Sequence, residues 1–353
     1  MTHFLQDILR QPVELERALS FLNAEGNPVL QEAARLIESA KHVFVTGIGS
    51  SWHAALSAAT IFYEAGHPAH LVDAAELLHF ATIPSGSVLV MLSRTGRSIE
   101  IVRLIEKAQR SGAKVIGITN GEDGALALQA DVSILLRVTF DHGISVNTYS
   151  TLALATGVLA AQVVDIFSNE LSAGLIDAIR AAGHRVPQWR EQVEQTHWLA
   201  PGDSYYFLAR GASIGTCNEA RLLWEEGVKQ PATAMGTGAF RHGPQEIVAP
   251  GLRFGIWLDG RRMREEDLSV ARDLTRMGAP VALIGQNVPS SSAELVLELP
   301  SIPVEWQFLI DFLPAQLLAE RMSRLSGADC DSFRFCSYIV EGEGGLLQDQ
   351  HAR

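Results

Sequence analysis

Cysteine is scarce in this sequence. The 353 residues include three cysteines, Cys217, Cys330 and Cys336, an odd number without the spacing of a zinc or redox motif. A small secreted protein held by disulfides carries many paired cysteines, and a structural metal site places them close together. We therefore expect a reduced, cytoplasmic protein with no disulfide framework and no metal site.

Long hydrophobic runs are also missing. The most apolar helical stretch, residues 152–164, is shorter than the about 20 residues that a membrane-spanning helix needs, and Asp165 follows it. The amino-terminal residues mix charged and apolar side chains and lack the basic, then apolar layout of a secretion signal. These absences argue against secretion and against a membrane partner.

Positive charge is in deficit. The sequence has 28 lysines and arginines against 40 aspartates and glutamates, which gives a formal net charge of −12. This balance opposes binding to nucleic acid or to an anionic membrane surface. A small anionic ligand would need locally placed cations, which Arg94 and Arg97 could supply. With 47% hydrophobic residues, the chain can still bury a large core.

Apolar runs that alternate with helical patterns predict an α/β protein built of parallel sheets flanked by helices. The pattern occurs twice, and glycine turns at Gly49 and Gly211 occupy equivalent places in the two halves. We therefore predict two subdomains of similar fold. The predicted strands are residues 42–46, 70–73, 88–92, 114–119 and 132–138 in the first half, and residues 205–209, 232–235, 253–258, 281–284 and 295–299 in the second.

Proline positions suggest where the amino-terminal helices end. The region before the first strand is predicted to form two helices with breaks at Gln11-Pro12 and Asn27-Pro28. Composition and pattern then divide the rest of the chain. The predicted domains are residues 1–40 as amino-terminal helices, 41–170 as the first subdomain, 171–335 as the second subdomain and 336–353 as a carboxyl-terminal tail.

A hydroxyl-rich turn follows the third predicted strand. It reads Ser93-Arg94-Thr95-Gly96-Arg97-Ser98 and leads directly into a helical pattern that begins at Ile99. In a parallel α/β sheet, the carboxyl end of a strand opens into the ligand crevice, where the next helix presents its free N–H groups. The hydroxyl groups and the close backbone at Gly96 suit the oxygens of a phosphate monoester. The alternative is an ordinary loop in which Ser98 caps the helix.

The second half has no copy of this turn but carries a candidate acid–base pair. Glu226 follows Glu219 by two helical turns, so the two carboxylates are predicted to share a face. His242 stands just before a Gly-Pro turn. A carboxylate and an imidazole are the pair that moves a proton between adjacent sugar carbons near neutral pH. The alternatives are a solvated glutamate on a helix surface and a turn histidine.

These segments resemble the double SIS-domain (sugar isomerase) family, in particular the isomerase half of glucosamine-6-phosphate synthase and its relatives without a glutaminase half. Gln11-Pro12 resembles the family's entry Gln-Pro, and Gly49-Ser50-Ser51-Trp52-His53-Ala54 its Gly-Thr-Ser-Tyr-His-Ala turn. The hydroxyl-rich turn resembles its Ser-Gln-Ser-Gly-Glu-Thr phosphate loop, and Arg241-His242-Gly243-Pro244 its Lys-His-Gly-Pro motif. The resemblance covers nearly the whole chain and implies two flavodoxin-like SIS subdomains.

The resemblance also implies a role for each matching residue. Glu226 matches the catalytic glutamate, and His242 matches the histidine that helps to open the sugar ring. Because such enzymes supply this histidine from the neighbouring subunit, a homodimer or a higher homo-oligomer is implied. The implied ligand is a small sugar phosphate, without a cofactor. The implied substrate- and phosphate-binding residues are Ser51, Ser93, Arg94, Thr95, Ser98, Ile144 and Ser337.

Two departures separate this sequence from the synthase. The synthase lysine three residues before the catalytic glutamate is Leu223 here, and its carboxyl-terminal lysine falls on Tyr338. Neither side chain can form a Schiff base, so we expect a phosphosugar isomerase of the deaminase or deglycase type, which releases an amine. The sequence begins at the isomerase region with Thr2, so we also expect no glutaminase domain. The alternative is a non-catalytic sugar-phosphate sensor, although no DNA-binding motif or basic stripe is apparent.

Overall fold

The computed structural model describes residues 1–346 and contains two five-stranded parallel sheets. Their strands are β1 His42–Thr46, β2 His70–Leu71, β3 Ser87–Ser93, β4 Lys114–Thr119 and β5 Val132–Leu135, then β6 Ser204–Ala209, β7 Ala232–Gly236, β8 Leu252–Trp257, β9 Val281–Gln286 and β10 Leu295–Leu299. The spatial orders are β2-β1-β3-β4-β5 and β7-β6-β8-β9-β10. Each sheet thus has the order 2-1-3-4-5 of a flavodoxin-like fold, which confirms the predicted fold class.

Helices flank both sheets and fill the space between them. They are α1 His3–Asn23, α2 Asn27–Glu38, α3 Ser50–Ala58, α4 Thr60–Glu64, α5 Ala74–His79, α6 Ile99–Ser111, α7 Ala125–Gln129, α8 Asn147–Val163, α9 Asn169–Gln195, α10 Ile214–Leu223, α11 Thr237–Phe240, α12 Arg264–Arg276 and α13 Phe312–Ser326. Helix α8 is buried along nearly its whole length, where it packs against α1, α2 and α3. This burial explains the apolar character of residues 152–164. Among the helices of residues 1–346, none is both long and apolar enough to cross a membrane.

The predicted break at Pro12 is wrong, because α1 continues through it. Gln11 Nε2 donates a hydrogen bond to the carbonyl oxygen of Val146 at 3.1 Å. Pro12 packs against Gly183, where an added Cβ would lie 3.1 Å from the Pro12 side chain. These contacts hold the helix although Pro12 has no N–H for a backbone bond. Pro28, by contrast, lies in the first turn of α2, a position that tolerates proline.

Strand β5 ends at Leu135, three residues before its predicted end. A side chain replaces the sheet ladder beyond that point, since the N–H of Val138 donates to Asn120 Oδ1 at 3.0 Å. Asn120 Nδ2 in turn donates to the carbonyl oxygen of Val138 at 2.8 Å. Arg137 has a φ of 55°, which takes the chain out of the extended conformation. The strand therefore stops although its apolar pattern continues.

Gly215 lies where α10 of the second subdomain crosses α3 of the first. An added Cβ would lie 2.2 Å from both the carbonyl oxygen of His53 and Ser57 Oγ. Because a backbone atom gives way only at high cost, we expect Gly215→Ala to lower the free energy of unfolding by about 1–3 kcal/mol. Urea denaturation measures this change.

Gly174→Ala in α9 is the matched control. An added Cβ at Gly174 would meet nothing within 4 Å, so this substitution should stabilise the helix by about 0.5–1 kcal/mol. If the Gly215→Ala protein were as stable as the wild type, the close crossing of the two helices would be contradicted.

Candidate functional site

A cavity of about 340 Å³ opens at the carboxyl ends of β1 and β3. It lies between the turns that follow these strands, the end of α10 and the carboxyl-terminal segment. The structure brings six of the predicted site residues to its lining, namely Ser51, Arg94, Thr95, Ser98, Glu226 and Ser337. We call this space the first cavity.

The hydroxyl-rich turn is folded around its own side chains. The N–H of Gly96 donates to Ser93 Oγ at 3.1 Å, and the N–H of Arg97 donates to Thr95 Oγ1 at 3.3 Å. Gly96 has a φ of 68°, in the left-handed region that favours glycine. Both hydroxyl oxygens thus accept a hydrogen bond within the turn, but Thr95 and Ser98 line the cavity and Ser93 does not.

Ser98 stands at the capping position of α6 without capping the helix. Its side chain makes no hydrogen bond to the first turn. The N–H of Ile99, the first residue of the helix, donates to the carbonyl oxygen of Val340 at 3.0 Å. The Ser98 hydroxyl is thus left for the cavity, at the positive end of a helix dipole. This geometry favours an anion cradle over the capping interpretation.

Arg94 fastens the carboxyl-terminal segment across the cavity. Its guanidinium donates to the carbonyl oxygens of Gly143 at 2.8 Å and Tyr338 at 2.7 Å, and it lies 3.8 Å from the centre of the Tyr338 ring. Arg97, the other predicted cation, pairs with Asp123 at the surface. Of the two arginines that could supply positive charge to an anionic ligand, Arg94 lines the first cavity and Arg97 does not.

Glu226 lies on a single π-helical turn, Trp224–Val228, that directly continues α10. Burial and the neighbouring charge of Glu219 raise the pKa of the Glu226 carboxyl to about 7, against the opposing charges of Arg94 and Lys229. A carboxyl group with this pKa is present in both protonation states at neutral pH, as general acid–base catalysis requires. Its half-buried position excludes the alternative of a solvated helix surface.

A buried pair that the sequence does not predict lies behind Glu226. His53 Nδ1 in α3 lies 2.6 Å from Glu219 Oε2 in α10, and both side chains are buried. Glu219 therefore faces His53 and the first subdomain, and the pair fixes α10 just before the turn that carries Glu226. His53 belongs to the turn at residues 49–54 that resembles a family motif. Because 166 residues separate it from Glu219, local sequence does not predict their pairing.

Three predicted residues lie outside the lining of the first cavity, and the buried Ser93 is one of them. Ile144 is buried in the core against Gly227, while its neighbour Ser145 lines the cavity. His242 is exposed on the turn after α11, and one chain alone does not place it beside Glu226. Its proposed role therefore stays a prediction. Within residues 1–346, no group of three His, Cys, Asp or Glu side chains is placed to hold a metal ion.

A SIS domain family model matches residues 36–161. The isomerizing glutamine–fructose-6-phosphate aminotransferase of Sulfurisphaera tokodaii is 25% identical to this chain over 344 residues, and that of Aeropyrum pernix is 27% identical over 362 residues. Each alignment covers 97% of this chain and 57% of the relative. The chain thus spans little more than half the length of the curated relatives that it matches.

Solved structures share the fold over almost the whole chain. The C-terminal domain of glucosamine-fructose-6-phosphate aminotransferase from Francisella tularensis has a TM-score of 0.82 at 20% identity and covers 93% of this chain and 97% of that one. Glucosamine-6-phosphate deaminase from Thermotoga maritima has a TM-score of 0.79 at 21% identity, with 96% and 99% covered. Tagatose-6-phosphate ketose/aldose isomerase from Escherichia coli has a TM-score of 0.79 at 20% identity, with 94% and 95% covered. The chain therefore carries a SIS domain match in its first subdomain and shares the fold of these solved structures over nearly its whole length.

Proposed function

We propose that this protein is an enzyme that moves a proton between C1 and C2 of an amine-linked sugar phosphate and releases the amine. One observation carries the proposal: Glu226, with a pKa raised to about 7, lines the same cavity as the hydroxyl-rich turn. Two solved structures of the same fold are named a deaminase and a ketose/aldose isomerase. These names correspond to the two parts of the proposed reaction, release of the amine and transfer of the proton.

The reaction begins with the phosphate bound at Ser51, Thr95 and Ser98, which directs the open sugar chain toward Glu226. The Glu226 carboxylate removes a proton from C1 while the oxygen on C2 takes up a proton, which gives an enaminol. Return of the proton to C2 leaves an imine at C1. Water then adds to the imine carbon, and the C–N bond breaks as nitrogen takes a proton. The products are an aldose phosphate and a free amine.

Two residues support amine release over amine transfer by the protein. Leu223, at the place of a synthase lysine, is buried in the core. Tyr338, at the place of the other lysine, donates its hydroxyl proton to the carbonyl oxygen of Asp141 at 3.1 Å. Since neither position offers an amine for a Schiff base with the sugar, the imine carbon is left to water.

The test of this proposal is incubation of the protein with ketose and aldose phosphates and with their conjugates to ammonia and to amino acids. Mass spectrometry of the products is expected to show a free amine together with an aldose phosphate. Tight binding of one compound, with no product from any of them, would contradict the proposed enzymatic activity and support a sugar-phosphate sensor.

The rate is expected to depend on pH through Glu226. The carboxylate is the form that removes the proton, and its fraction falls about tenfold for each pH unit below the pKa of about 7. We therefore expect kcat/KM to rise with pH up to about 7 and to level off above it. A glutamate with the ordinary pKa of 4.5 would give a flat profile over the same range. Initial rates at constant ionic strength distinguish the two profiles.

Ser98→Ala is expected to weaken phosphosugar binding while leaving α6 folded. Loss of a hydrogen bond to a charged group costs about 1.5–3 kcal/mol, or about 10- to 150-fold in Kd. Calorimetric titration with fructose 6-phosphate measures the affinity. Ser111→Ala at the other end of α6, where the hydroxyl donates to the carbonyl oxygen of Ala108, is the control. A lower Tm with an unchanged Kd for Ser98→Ala would restore the capping interpretation.

A further inference from the structure

A second cavity of about 440 Å³ adjoins the first one. Phe333 and Cys336 line both, so the two spaces meet at these side chains. Glu226 lines the first cavity, and its neighbours Glu225 and Lys229 line the second. The reacting end of a sugar beside Glu226 would therefore lie next to the second cavity.

The second cavity presents two cations that protein carboxylates leave available. Lys229 Nζ donates to the carbonyl oxygens of Glu226 and Ser332, which leaves one of its three N–H groups free. Arg334 is exposed and forms no ion pair within residues 1–346. Glu225, which also lines the cavity, is paired with Arg221, so its negative charge is offset.

The two cations also oppose one another. Burial, with the charge of Arg334 second, lowers the pKa of Lys229 against the opposing charges of Glu226 and Asp329. An anion seated between the two side chains would relieve this repulsion and satisfy their free N–H groups. Phe333 and Phe335 add apolar surface beside these cations, suited to the carbon atoms of a ligand.

We propose that the second cavity binds the amine portion of the substrate, and that Lys229 and Arg334 hold a carboxylate group on it. The substrate is then a sugar phosphate joined through nitrogen to an amino acid, not to ammonia or a simple alkylamine. This inference rests on the proposed function for the chemistry at Glu226. The inference adds to the proposed function the chemical class of the released amine, which is an amino acid.

The experiment compares two ligands that differ only in the carboxylate: the fructosamine 6-phosphates made from glycine and from methylamine. Calorimetric titration uses the Glu226→Gln protein, so that neither ligand turns over. We expect the glycine conjugate to bind at least about tenfold more tightly, which is about 1.4 kcal/mol. Arg334→Met in the same background should remove the difference between the two Kd values. Arg276→Met, an exposed arginine on α12, should preserve the difference.

Equal affinities for the two conjugates in the Arg334-containing protein would overturn this inference. Product formation by the wild-type protein tests the proposed function separately. Turnover of both conjugates at equal kcat/KM would support the proposed enzymatic activity and contradict the carboxylate site. Tighter binding of the glycine conjugate without any turnover would support the carboxylate site and contradict the proposed enzymatic activity.

Discussion

Glu226→Gln is expected to lower kcat by about 10²–10⁴-fold while the affinity for sugar phosphates stays within a few-fold. The amide has the size of the carboxyl group but cannot remove a proton from carbon. The cavity therefore keeps its shape and its phosphate-binding hydroxyls, and the step that needs a base is lost. Single-turnover kinetics give the rate, and calorimetry with fructose 6-phosphate gives the affinity.

Glu225→Gln is the matched control for this experiment. Glu225 is the adjacent residue, but its carboxylate pairs with Arg221 and does not line the first cavity. We expect this protein to keep kcat within a few-fold of the wild-type value on the same substrate. Persistent turnover in Glu226→Gln would show that another group acts as the base and would remove the central residue of the proposed mechanism.

His242→Asn is expected to lower kcat by about 10²-fold or more on substrates whose ring must open first. We propose that this imidazole is supplied to the first cavity of the neighbouring subunit in a two-fold symmetric dimer. Its exposure on the turn after α11 leaves it available for such a contact. His184→Asn, an exposed histidine on α9, is the control and should leave kcat unchanged.

Mixing the two inactive proteins tests the shared site directly. A dimer of one Glu226→Gln subunit and one His242→Asn subunit contains one cavity with both groups intact. Random exchange of subunits makes half of the dimers mixed, so activity should return to about a quarter of the wild-type value. No recovery after demonstrated subunit exchange would place His242 in its own chain's site or outside the chemistry. A fully active monomer would also contradict the shared site.

Local patterns predicted the sheets and the position of the hydroxyl-rich turn well. The apolar runs lie in the ten strands, because a strand buried on both faces needs continuous apolar residues. The hydroxyl-rich turn lies at the end of β3, where a parallel sheet opens. At the end of β5, the Asn120 side chain replaces a backbone bond to Val138. At Pro12, α1 continues and packs against residues distant in sequence, with Gln11 bonded to Val146.

The sequence by itself determined the α/β class, because the strand and helix patterns depend on residues that are neighbours in the chain. The phosphate-binding role of the turn and the catalytic role of Glu226 stay predictions. Only the tertiary structure decided which of the turn's hydroxyls remain free and that Arg94 reaches Tyr338 across 244 residues. It also decided that His53 pairs with Glu219 and that Glu226 is half-buried beside a second, cationic cavity. Burial and pairing depend on how the two subdomains pack, and that packing sets the pKa of a carboxyl group that sequence alone leaves ordinary.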